Sequence, residues 1–244
     1  MKTKTIQLLV LLLLSIGCSP SGIKKIDLSG KWSFATDPKN TGIKENWFSL
    51  KLEESVLLPG SMNSNGKGDE VNLQTEWTGG IADSSFFKNP EYEKYRQSDN
   101  FKIPFWLQPL KHYQGVAWYQ KEVNIPAYWE KKQIILFLER CHWESRLWID
   151  DLEIGMQNSL GTPHVYDLSG KLKPGNHLLT LRIDNRVKDI DPGVNSHSIS
   201  DHTQTNWNGV VGDIFLEARS MVKVQSLQIF PDVQNKKITI QIRF

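Results

Sequence analysis

Cysteine is close to absent from this chain of 244 residues, occurring only as Cys18 and Cys141. Two cysteines exclude the disulfide framework that staples small secreted domains. An excess of one charge is missing too, with 29 Lys and Arg against 27 Asp and Glu. A balanced surface does not steer polyanions, so nucleic acid is not an expected partner. No Gly-rich loop leads into a helix that could cradle phosphate, since no helical pattern follows Gly66-Lys67-Gly68. No Ser-His-Asp or Cys-His set stands in a recognisable catalytic context. His197 and His202, with Asp189, Asp191 and Asp201 nearby, lack the one-face helical spacing of a metalloprotease. No metal site, cofactor or catalytic residue is therefore expected.

Long hydrophobic runs are also wanting. The longest, Leu8 to Leu14, follows Lys2 and Lys4 and is too short to span a bilayer. A basic start, a short apolar run and small residues before a cut read as a signal peptide over residues 1–17. Leu14-Ser15-Ile16-Gly17-Cys18 has the pattern of a bacterial lipobox. Cys18 would then carry lipid, residues 18–26 would form a tether, and the protein would be anchored in the cell envelope as a periplasmic or outer-membrane lipoprotein. Ordinary cleavage near Gly17, with Cys18 unmodified, is the alternative. Cys141 is left without a disulfide partner and is expected to be a buried structural thiol.

What the chain does have is short strands and nine Trp. Trp32 and Phe34 alternate on one face of the first strand, Val116, Trp118 and Gln120 alternate with Ala117, Tyr119 and Lys121, and Ile134 to Leu138 runs apolar throughout. Asp150-Asp151 and Pro174-Gly175-Asn176 supply turn chemistry between strands. No long segment has a helical period. The expectation is an all-β sandwich over residues 27–219. It is interrupted by an insertion at 61–114, long for a connection and too aromatic for disorder. Pro90 to Arg96 reads there as a short helical turn. Glu76, Trp77, Arg96, Asn100 and Trp106 could edge a glycan site, or the insertion could be a structural flap. Glu139, Glu144 and Glu153 read as solvated charges on strands or their turns.

The densest chemistry lies in residues 200–208, where Asp201, His202, Gln204, Asn206 and Asn208 surround Trp207. Amides, carboxylates and hydroxyls around an indole suit sugar, because the polar groups bond hydroxyls and the ring covers an apolar sugar face. The competing reading is a turn-rich corner in which Trp207 fills core.

Thr205-Asn206-Trp207-Asn208-Gly209-Val210-Val211-Gly212-Asp213-Ile214 resembles the end of the N-terminal sugar-binding domain of glycoside hydrolase family 2, which includes β-galactosidases, β-glucuronidases and β-mannosidases. Three further stretches agree in order: residues 115–123, 145–151, and 166–185. The resemblance implies a jelly-roll β-sandwich of the galactose-binding-domain-like kind. It implies that both catalytic glutamates belong to a barrel beyond this chain, so that the chain by itself is inactive. Residues 220–244 would be the opening strands of a truncated immunoglobulin-like domain. In the β-galactosidase branch this loop places an acidic residue near bound sugar, and Asp201 lies close to that position, with Thr203 as the rival alignment. Asp201, His202, Asn206, Trp207 and Asn208 are thus the candidate substrate-binding residues, and the expected partner is a β-linked glycan. The alternative function is a standalone carbohydrate-binding surface lipoprotein without hydrolase activity.

Overall fold

A computed structural model describes residues 24–78, 85–103, 107–189, 206–222, 224 and 226–243. The leader, Cys18, Trp106, Asp191, His197, Asp201, His202 and Thr203 lie outside the described residues. The strands are β1 (Lys24–Asp27), β2 (Gly30–Asp37), β3 (Glu54–Leu58), β4 (Gly60–Ser61), β5 (Asp69–Glu70), β6 (Lys111–His112), β7 (Val116–Ile125) and β8 (Gln133–Cys141). They continue with β9 (Glu144–Ile149), β10 (Leu152–Asn158), β11 (His164–Asp167), β12 (Gly175–Asp184), β13 (Gly209–Arg219), β14 (Ser226–Asp232) and β15 (Lys237–Arg243).

Two antiparallel sheets form the expected sandwich. One has the order β1-β13-β8-β11 with β4 also on β13, and the other runs β10-β9-β12-β7-β2-β3. Period-two alternation sends one side chain in two toward the facing sheet. Trp32, Phe34, Leu136, Leu138, Leu147, Leu179, Leu181, Ile214 and Leu216 thereby share one core. Cys141 is buried in that core, and burial pushes its thiol up to about 12. It is the inert thiol expected from its isolation.

The six-stranded sheet has a second, smaller apolar cluster on its outer face, where Trp118 and Trp148 pack with their ring centroids 5.2 Å apart. Residues 38–53 roof this face. Phe48 stacks on Trp148 at 5.5 Å and 5°, and Gln120 Nε2 donates to the carbonyls of Trp47 and Leu50 at 3.1 and 2.9 Å. Asp37 starts the roof by accepting from the N–H groups of Thr41 and Gly42 and from Trp118 Nε1. Gly42 is needed there, because a Cβ would lie 2.7 Å from Trp118 Nε1.

Two polar clusters meet at β9. Glu144 points outward under the roof and is buried, not solvated as the sequence suggested. It pairs with Arg182 at 3.0 Å and Lys188 at 2.6 Å. Asp184, fully buried, takes Arg182, Arg186 and Lys188 at 3.3, 2.7 and 3.0 Å, and Arg182 Nη2 also donates to Asn40 Oδ1 at 2.7 Å. Ser145, the next residue, points inward. Its Oγ lies 2.6 Å from His164 Nδ1 and 2.7 Å from the Tyr166 hydroxyl, while His164 Nε2 donates to the Ser159 carbonyl at 2.9 Å.

The insertion contributes mainly short elements, including α1 (Ser85–Lys88) and the expected turn, a 3-10 helix at Pro90–Tyr95. Met62 and Tyr113, near its two ends, belong to the sandwich core. Among the described residues, β14 and β15 pair only with each other, and Leu227, Ile229, Ile238, Ile240 and Ile242 on them are about half exposed or more. Among the described residues, no helix is long and apolar enough to cross a membrane.

Candidate functional site

The candidate site stands at one end of the sandwich, where the chain enters β7 and β13 and leaves β12. Three asparagines tie these ends together. Asn185 Oδ1 accepts from the Gly115 N–H at 2.8 Å, and its Nδ2 donates to the Tyr113 carbonyl and to Asn206 Oδ1 at 2.7 and 3.0 Å. Asn206 Nδ2 donates to Thr78 Oγ1 and the Asn185 carbonyl at 2.9 and 3.1 Å. Asn208 Nδ2 donates to the carbonyls of Gly115 and Ile183, each at 3.1 Å, and its Oδ1 accepts from the Tyr119 hydroxyl at 2.7 Å.

Asn206 and Asn208 were expected to bind sugar hydroxyls, and the structure corrects that reading. Both are buried, and both ends of each amide are engaged by protein groups. Opening such an amide to a ligand would strand buried partners, at a cost of about 1–3 kcal/mol for each group left unsatisfied. They are joints of the framework. Gly209 completes the joint: its φ is +140°, and a Cβ would lie 2.4 Å from the Gly60 carbonyl oxygen on the paired β4.

Trp207, between the two asparagines, takes the other direction. It is half-buried and does not belong to either core cluster. Its carbonyl accepts from His142 Nδ1 at 2.8 Å, and its ring stacks on the His142 ring at 4.9 Å and 29°. Beside it lies an open cleft of about 500 Å³ lined by Ser61, Asn63, Pro109, Arg140, Trp207 and Val211. Arg140 Nη2 is 3.2 Å from Glu139 Oε1, its side chain is 59 % exposed, and Glu139 Oε2 accepts from the Asp213 N–H at 2.7 Å.

Among the described residues, those of the insertion named as a possible glycan edge do not gather into one site. Arg96 donates to the carbonyls of Phe86 and Asn89, and Asn100 to that of Lys94, so both serve the insertion's own fold. Trp77 meets His112 edge-on at 4.9 Å. Glu76 lines a separate acidic cleft of about 330 Å³ with Asp69, Glu70 and His112. Among the described residues, no three His, Cys, Asp or Glu gather to hold a metal ion.

No family model matches the chain. It is 20% identical over 226 residues to a β-glucuronidase of Paenibacillus borealis, covering 86% of this chain and 32% of that protein. It is 23% identical over 205 residues to a β-galactosidase of Arthrobacter sp. (strain B7), covering 82% of this chain and 19% of that protein. The fold matches a β-glucuronidase from an uncultured Clostridium sp. with TM-score 0.59 at 17% identity, over 93% of this chain and 34% of the other. The chain resembles the N-terminal sugar-binding domain of glycoside hydrolase family 2.

The chain spans a third or less of the length of these two curated relatives. A further match, the Ruminococcus gnavus β-glucuronidase in complex with D-glucuronic acid, has TM-score 0.58 at 18% identity over 88% of this chain and 33% of that one. Trp207, singled out in the sequence, lines the open cleft at this corner of the sandwich. Nothing in the sequence marked the cleft's other lining residues Arg140, Pro109, Ser61 and Asn63, which come from three separate places in the chain. Only the pairing of β13 with β4 and β8 brings Ser61 and Arg140 to Val211 and Trp207.

Proposed function

We propose that the chain is the carbohydrate-binding sandwich of a glycoside hydrolase acting on a β-linked glycan, with the bond-breaking carboxylates supplied by polypeptide outside these residues. Coverage carries the reading. The resemblance runs over 82–86% of this chain but only 19–32% of two relatives, a β-galactosidase and a β-glucuronidase. Glycoside hydrolysis generally needs an acid to protonate the leaving oxygen and a second carboxylate as nucleophile or base. In this reading the sandwich contributes affinity and orientation at the rim of such a site. The purified chain should bind methyl β-glycosides with Kd on the order of millimolar. It should not turn over the nitrophenyl β-glucuronide, β-galactoside or β-mannoside. Turnover that survives repurification would overturn the proposal.

The anchoring proposal stands on the lipobox pattern ending at Cys18. Cys18→Ser should abolish lipid labelling and release the protein from the membrane fraction, since several acyl chains are needed for firm attachment. Unchanged membrane partitioning would remove the lipoprotein from the account. Residues 220–244 are proposed as the opening of an immunoglobulin-like domain, consistent with a hairpin that has no core of its own.

A further inference from the structure

The cleft beside Trp207 holds the one tryptophan of the Asn206-Trp207-Asn208 run that the fold turns outward. We propose that it seats a single neutral pyranose residue, with the sugar's apolar face on the indole and its hydroxyls toward Arg140 and Ser61. This rests on the carbohydrate reading above and assigns it a place.

The floor of the cleft is rigid. His142 covers one side of the indole and holds the Trp207 carbonyl, while Asn206 and Asn208 fix the backbone on either side. A ring already immobilised costs little further entropy when a ligand stacks on it. Trp207 is joined by Pro109 and Val211, so the floor is apolar, as the C–H face of a pyranose requires. The cleft's volume of about 500 Å³ lies inside the range of small-molecule sites, about 300–1,000 Å³.

The polar edge selects hydroxyls. Arg140 spends one nitrogen on Glu139, which anchors its planar fork and leaves the other N–H donors on an exposed side chain. Glu139 also compensates the guanidinium charge, so the edge offers donors without demanding an anion. Ser61 Oγ accepts from the Ser64 N–H at 3.1 Å, leaving its own proton for a ligand oxygen. Ser61 belongs to β4, held on β13 through the Gly209 pairing, so this edge is fixed to the same strand as the floor.

The test titrates the full chain with methyl β-D-glucopyranoside, methyl β-D-galactopyranoside and methyl β-D-glucuronide while following the tryptophan indole N–H resonances. The expected result is saturable displacement of the signal that Trp207→Phe removes. Arg140→Ala should weaken binding about fivefold or more, one charge-assisted hydrogen bond or so. The Arg140 variant guards against misfolding of the Trp207 variant, because its side chain is exposed and outside the core. Binding that persists unchanged in both variants would place the sugar elsewhere, overturning this inference while leaving the carbohydrate reading intact. A glucuronide preference of tenfold or more would overturn the neutral-sugar assignment. Absence of binding by all three probes up to roughly 100 mM would overturn both the inference and the reading beneath it.

Discussion

Glu144 and Ser145 are neighbours on β9, yet one belongs to a cluster of five charged side chains and the other to a network with no formal charge. Both residues are buried, at 6% and 0% exposure. What differs is the covering. Outside the six-stranded sheet, beside the roof formed by residues 38–53, Lys188 and Arg186 enter from the solvent side, each about a third exposed. Charges can be buried there because opposite charges arrive with them. Between the sheets Ser145 meets a hydroxyl and an imidazole, with the Cys141 thiol near by, groups that can be buried without a counter-charge when they hydrogen-bond to one another. Period-two alternation on a single strand thus serves two different electrostatic environments.

The sharpest way to break the comparison is to remove Asp184, which is buried against Arg182, Arg186 and Lys188. Burial pushes its carboxyl up, but the hydrogen bonds from Arg186 and Lys188 outweigh that and hold it well below the usual carboxylate range. Asp184→Ala strands Arg182, whose side chain is 4% exposed, while Arg186 and Lys188 can turn to water. Breaking a buried pair costs about 3–5 kcal/mol, and the remaining Arg182–Glu144 bond puts this case near the lower end. Urea unfolding with an unchanged m-value should therefore show a loss of about 3 kcal/mol. A loss under about 1 kcal/mol would mean that the cluster behaves as surface charge, and the contrast with Ser145 would collapse.

How much of this was legible in the sequence follows from the same contrast. Alternation at Trp32 and Phe34 and the apolar run after Ile134 announced strands, because a strand's two faces are written into consecutive residues. Ser145-Arg146-Leu147-Trp148 helped carry the family resemblance, and so the sandwich. The fate of Glu144 was not legible. Its partners Arg182 and Lys188 lie on or just beyond another strand, and the roof that excludes water comes from a loop a hundred residues earlier. The Trp207 corner divides the same way. Asparagines flanking an indole marked the place, but which of the three side chains faces outward depends on Gly115, Asn185 and Tyr119, each brought in by the fold.

Acid sharpens the comparison with a smaller effect, because the two clusters should fail in different pH windows. His164 is fully buried, and burial lowers its imidazole's affinity for a proton more than the Ser159 carbonyl restores it. Nε2 carries the hydrogen given to Ser159, so Nδ1 accepts from Ser145; protonating Nδ1 would take away that acceptor. A histidine whose folded pKa lies below its unfolded value resists a proton that the unfolded chain accepts. Stability should therefore decline as pH falls through about 6.5, and this contribution should level off below the lower, folded value. One such group contributes a slope of at most about 1.4 kcal/mol per pH unit. Asp184 has the opposite sign of charge and a separate window. Its contribution is present above the unfolded carboxylate value of about 3.9 and is lost only as pH falls below that toward the depressed folded value. Urea midpoints of the parent chain should thus fall in two stages, one below about pH 6.5 and one below about pH 4. His164→Gln, which keeps an amide to serve Ser145 and Ser159 but cannot titrate, should lose the first stage and keep the second. The parent-minus-variant difference isolates His164 from the five other histidines. If that difference is flat between pH 7 and 5, the imidazole is not titrating against the fold and the neutral network is not what Ser145 requires. If His164→Gln also abolishes the second stage, the two sides of β9 are electrostatically coupled, and the separation seen between Glu144 and Ser145 does not hold in solution.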